Sequence, residues 1–118
     1  MIIAIVEDLF FASKIDATAH ALGVTVRMAR RQDELCDATH ATVGAIVDLT
    51  LTSTDPIALI SSLRQAHATL PIVGFVPHVQ AETARAARAA GASTVLPRSK
   101  FAETLPQILR ALAAGESP

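Results

Sequence analysis

The sequence predicts an α/β domain: a doubly wound, parallel five-stranded sheet with helices on both faces, in three layers. Short apolar runs alternate with helical patterns at near-regular intervals, the signature of repeated strand-helix-strand units. The runs are continuous and β-branched rather than alternating, as in Ile2 to Val6 and Ala45 to Val47, so each strand is expected to be buried on both faces. A chain of 118 residues is long enough for one such core but not for a second, so residues 1–118 form a single domain.

Each element has its own warrant. Met1 to Val6 reads as strand one. Phe10 to Leu22 follows as a helix with Phe11, Ile15, Ala19 and Leu22 on one stripe, stopped by Gly23. Val24 to Met28 is strand two, and Asp33 to Ala41 a weaker helix through Leu35 and Cys36. Gly44 to Leu49 is strand three, followed by a polar loop from Thr50 to Thr54. Asp55-Pro56 starts a helix with proline in its first turn, and Leu59, Ile60, Leu63 and Ala66 form its buried stripe. Pro71 to Val76 is strand four, Gln80 to Ala90 an alanine-rich fourth helix closed by Gly91, and Thr94 to Leu96 strand five. The last helix is expected to begin near Glu103, because Pro106 is tolerated only in a first turn, and to bury Leu105, Ile108, Leu109 and Leu112. Gly115 to Pro118 reads as a frayed tail.

Composition removes several classes of function. Half of the residues are apolar and the net charge is −1, which argues against disorder and against the basic footprint of a nucleic-acid binder. No apolar stretch is long enough to span a bilayer, and the N-terminus lacks the basic region and cleavage site of a signal peptide, so a cytoplasmic protein without a membrane partner is expected. Cys36 is the single cysteine and reads as a packed thiol. His20, His40, His67 and His78 have no metal-type spacing, and Ser13, Ser53 and Ser99 lack a histidine-acid pattern. No glycine-rich phosphate loop follows strand one, which argues against a hydrolase or nucleotide-binding enzyme.

The chemistry concentrates in three carboxylates. Glu7 and Asp8 close the first apolar run and Asp48 closes the third. Ligand sites of open α/β sheets gather at the carboxyl edge. If the two runs are neighbours, the three acids meet there in a pocket suited to a hard divalent cation such as magnesium. An aspartate so placed can also serve as a nucleophile. The plainer alternative is that each acid caps a turn or a helix start through local backbone hydrogen bonds.

This order of elements, with an acidic pair after strand one and an aspartate after strand three, resembles the receiver domain of bacterial response regulators along the whole chain. Ile5-Val6-Glu7-Asp8 is similar to the family's acidic pair, Val47-Asp48-Leu49 to its phosphoacceptor segment with Leu51 and Asp55 at the expected offsets, and Gly91-Ala92-Ser93 to its glycine-alanine turn. The resemblance implies a flavodoxin-like (βα)5 fold and no enzymatic output. It implies Asp48 as phosphoacceptor, Asp8 as direct magnesium ligand, Glu7 as the outer acidic partner, and the Thr50 backbone carbonyl as a third ligand. It also implies a histidine kinase or phosphotransfer protein as donor. The target protein would be met through the fourth helix, fifth strand and last helix, by a monomer or weak homodimer.

The departures from the family pattern bear on switching. Where the family has a threonine or serine after strand four, this chain has Val76, and where it has a switch aromatic in strand five, this chain has Val95. The family's lysine-proline pair is replaced by Arg98-Ser99, with Pro97 just before and Lys100 just after, so Arg98 or Lys100 stands in for the family's cation. An arginine fork is not interchangeable with a compact ammonium. A hydrogen bond to a charged group contributes about 1.5–3 kcal/mol, against roughly 5.5 kcal/mol needed to move a two-state equilibrium from mostly off to mostly on. Loss of the hydroxyl therefore removes a large share of any switch. The expected function is a phosphorelay receiver with atypical switching. A phosphorylation-independent protein-binding module is the alternative, and a small flavodoxin-like ligand-binding protein a more distant one.

Overall fold

The computed structural model describes residues 1–29 and 42–118. Five strands, β1 (Ile2–Ile5), β2 (Val26–Ala29), β3 (Gly44–Asp48), β4 (Ile72–Val76) and β5 (Thr94–Pro97), form one sheet in the order β2-β1-β3-β4-β5. All neighbouring strands run parallel. The described helices are α1 (Leu9–Leu22), α2 (Pro56–Ala66), α3 (Ala81–Ala90), α4 (Arg98–Glu103) and α5 (Leu105–Ala113). The helix expected from Asp33 to Ala41, with Cys36 and His40, lies outside the described residues.

The continuous apolar runs are explained by the two cores that the sheet separates. Ile2, Ala4 and Val6 join Ile46, Val73 and Phe75 in a cluster with Phe11, Ile15 and Ala19 of α1 and Ile108, Leu109 and Leu112 of α5. Ile3 and Ile5 join Val47 and Ile72 on the opposite face, where Leu59, Ile60 and Leu63 of α2 and Ala84 and Ala87 of α3 cover them. Successive strand residues point to opposite faces, so a sheet covered twice demands apolar residues at every position. Each fully buried Ile or Leu contributes about 1.5–3 kcal/mol relative to exposure.

Helix ends follow local chemistry. Asp8 caps α1, accepting from the backbone N–H of Phe10 at 2.9 Å and of Phe11 at 3.3 Å, and Gly23 closes the helix with φ 70°. Asp55 caps α2 in the same way, with Pro56 in the first turn.

The main departure from expectation is at the C-terminal end. Strand five continues through Pro97, and a short unexpected helix, α4, begins immediately at Arg98, while the last helix starts at Leu105, close to the expected Glu103, and buries Leu105, Ile108, Leu109 and Leu112 as expected. Helix α4 breaks at Thr104, where φ is −107° and ψ 14°, and α5 starts afresh with Pro106 in its first turn. Pro106 has no N–H and its ring would strike the carbonyl of a preceding turn, so one helix cannot run through it. Arg98 therefore sits at a helix start and Lys100 within a helix.

Candidate functional site

The strand order reverses its direction of growth at β1, which has β2 on one side and β3 on the other. A crevice at the carboxyl ends of the strands opens at such a point. β1 and β3 are in register from Ile2 beside Gly44 to Ile5 beside Val47. Asp48 ends β3, and Glu7 and Asp8 follow β1 at the same edge. Sequence and topology thus deliver all three acids to the switch point.

Asp48 is the one buried polar or charged residue among the described residues, with 1% exposure. Its hydrogen bonds come from its own turn. Oδ1 accepts from the Thr50 backbone N–H at 2.9 Å and from the Thr50 hydroxyl at 2.6 Å. Leu51 N–H closes the turn on the Asp48 carbonyl at 3.3 Å. Oδ2 receives no hydrogen bond.

Asp8 likewise uses one carboxylate oxygen locally and keeps the other, since both of its helix-cap bonds go to Oδ1. Glu7 is occupied on both sides. Its Oε1 accepts from the Ser53 N–H at 2.7 Å, the Ser53 hydroxyl at 2.8 Å and the Thr52 N–H at 2.8 Å, and its Oε2 from the Thr52 hydroxyl at 2.9 Å. The Ser53 N–H foremost, then the Ser53 hydroxyl and the Thr52 N–H, hold its carboxyl down from 4.5 to about 2. Glu7 thus clamps the β3–α2 loop. The pair Thr52-Ser53 passed in the sequence as polar loop. Their signal was two adjacent hydroxyl residues in the loop facing an acid, with no spacing rule to connect them.

Among the described residues no group of three His, Cys, Asp or Glu side chains is placed to hold a metal. The donors that suit a hard cation are the carboxylates of Asp8 and Asp48 with backbone carbonyls. That is a magnesium-like set, in which one or two carboxylates are completed by water.

Neither candidate cation is hydrogen-bonded or ion-paired to Asp48. The Arg98 guanidinium carbon lies over the Phe11 ring, 5.1 Å from its centroid, and its Nε is buried without a partner. Lys100 is exposed on α4. Phe11, Phe75 and Phe101 stack beneath Arg98, with centroids 5.5 Å apart for Phe11 and Phe75 and 4.4 Å for Phe75 and Phe101. Val76 is half-buried beside Pro97 of β5, and Val95 is buried in the core under α2 and α3.

No protein-family model matches the sequence, and no curated protein does. Solved structures do match. The receiver domain of NtrX from Brucella abortus is 21% identical with a TM-score of 0.83, covering 97% of this chain and 98% of that one. The chain has the receiver fold. A response regulator from Burkholderia pseudomallei, whose structure carries a phosphorylated aspartic acid, a calcium ion and citrate, is 23% identical with a TM-score of 0.79, over 96% of this chain and 68% of that one. The BeF3-activated receiver domain of DrrB is 12% identical with a TM-score of 0.82, over 96% of each chain. Identities this low establish the five-stranded, flavodoxin-like receiver architecture and leave the site to be argued from its own residues. Among the described residues, no helix is long and apolar enough to cross a membrane.

Proposed function

We propose that this chain is a receiver-type signalling module of a two-component phosphorelay. Asp48 accepts a phosphoryl group from a histidine kinase or phosphotransfer protein, and output passes through protein contacts rather than catalysis. One observation carries the reading: a lone buried carboxylate ends β3 at the switch point, with one oxygen held by Thr50 and the other without a hydrogen-bond donor. A carboxylate is otherwise almost never fully buried without a partner charge. The solved receivers of this fold that carry a phosphorylated aspartate or beryllofluoride add support by analogy.

In the transfer, Asp48 Oδ2 attacks phosphorus. The new O–P bond forms as the P–N bond to the donor imidazole breaks, its electron pair returning to the ring nitrogen. Asp8, Asp48 and the Thr50 carbonyl would hold magnesium, whose charge would offset the charge on the phosphoryl oxygens. Leu9 and Phe10, 62% and 74% exposed next to Asp8, offer the donor protein an apolar landing point. The output surface is α3, β5 and α5; Val79, Arg85 and Arg88 border an open groove along α3.

A phosphorylation-independent binding module is the second reading. It is favoured by Val76 and Val95, which offer no hydroxyl, and by Arg98 lying on Phe11. Incubation with a small acyl phosphate and magnesium, followed by intact mass, separates the two. Addition of one phosphoryl group, absent in Asp48→Asn, supports the phosphorelay reading; an unmodified chain after prolonged incubation selects the alternative.

A further inference from the structure

Asp48 can form an acyl phosphate on one oxygen and hold a cation with the other only if both oxygens are available. Each carboxylate oxygen has two lone-pair sites. On Oδ1 both are taken, by the Thr50 N–H at 2.9 Å and the Thr50 hydroxyl at 2.6 Å, the latter within the short range of charge-assisted bonds. Oδ2 is the oxygen left open for attack, so the cation has to take Oδ1. The N–H is fixed by the turn that Leu51 closes on the Asp48 carbonyl. The hydroxyl is the donor that can leave, because Thr50 is exposed and its side chain is free to rotate away from the turn.

We infer that Thr50 is a positioning residue that competes with the divalent cation: its hydroxyl occupies the Asp48 Oδ1 site, and the cation binds only after that side chain has turned. This rests on the reading of Asp48 as phosphoacceptor. A hydroxyl bonded to a carboxylate sets the penalty at about tenfold in cation affinity or more. Because rotation of an exposed side chain is fast, Thr50 weakens binding without slowing it.

Manganese titration of the full chain, read by melting midpoint and by the EPR signal of free ion, tests this in Thr50→Val, Thr50→Ala and Thr50→Ser. The two hydroxyl-free variants should bind manganese about tenfold more tightly than the native chain. Thr50→Ser should bind like the native chain and Asp48→Asn should lose the site. Without metal, Thr50→Val should melt lower, because Asp48 loses a donor; if it fails to fold, Thr50→Ala carries the comparison. Equal or weaker binding in the hydroxyl-free variants overturns the competition. So does the absence of manganese binding in every variant. The acyl phosphate experiment judges Asp48 as phosphoacceptor separately, so the two ideas can fail independently.

Discussion

Arg98 lies across the face of Phe11, with its guanidinium carbon 5.1 Å from the ring centroid and its Nε buried without a hydrogen-bond partner. The cation that the sequence suggested for Asp48 is thus held by an aromatic stack. A cation over a ring contributes about 0.5–2 kcal/mol, depending on desolvation. An unmade hydrogen bond at a buried N–H opposes this by about 1–3 kcal/mol. The two effects nearly cancel, so Arg98 is stored there at little net gain.

That balance predicts unequal effects from the two partners. Phe11→Leu loses both the cation contact and the stacking on Phe75, and should lower unfolding free energy by about 1–2 kcal/mol. Arg98→Met keeps the apolar stem and removes the unpartnered N–H, so it should change stability by less than about 0.5 kcal/mol. Urea unfolding measures both. A large loss in Arg98→Met would mean that the cation contact outweighs the stranded N–H.

Acid titration should reveal the Glu7 clamp. Its folded carboxyl is held at about 2, below the ordinary 4.5. A lowered folded value means that the clamp stabilises fully above the unfolded pKa and is lost as pH falls through the window from 4.5 to about 2. The native melting midpoint should therefore fall across that window, and Glu7→Gln should show a shallower fall. Parallel curves for the two proteins would remove Glu7 from the acid response.

Gly44 tests the packing of α5 on β3. A Cβ at this position would meet the Leu112 Cβ at 2.8 Å, an atom that cannot swing aside as a side-chain tip can. Gly44→Ala should cost about 1–3 kcal/mol through overpacking, read by thermal or urea unfolding. Gly44→Ala combined with Leu112→Ala should not restore stability, because the blocking Cβ remains.

What the sequence revealed and what it concealed divide along physical lines. The sheet and its helices were legible because periodicity and doubly buried strands leave a pattern in consecutive residues, as in Ile2 to Val6. Asp8, Asp48 and the caps were legible because strand ends and helix starts are local. The Glu7 clamp was not, since Thr52 and Ser53 lie 45 and 46 residues away and meet Glu7 only through the sheet. The Arg98-Phe11 contact was hidden for the same reason. Pro106 was placed correctly in a first turn, but the earlier helix start at Arg98 carries no capping side chain to announce it.

Restoring a hydroxyl at position 76 should strengthen the response to a phosphoryl mimic. Val76→Thr is nearly isosteric and supplies the donor that the receiver pattern places after strand four. Moving a hydroxyl into an apolar site without a partner costs about 1–3 kcal/mol by protein mutational data. Val76 is half-buried beside Pro97, so the loss in the free protein should fall at or below the low end of that range. Beryllofluoride with magnesium should then raise the melting midpoint more in Val76→Thr than in the native chain, because the new bond exists only in the bound state. If both proteins gain equally, position 76 does not face the acceptor of Asp48, and the equivalence of Val76 with the receiver hydroxyl position is wrong. If neither gains, Asp48 does not hold the mimic, and the phosphorylation-independent reading gains the weight.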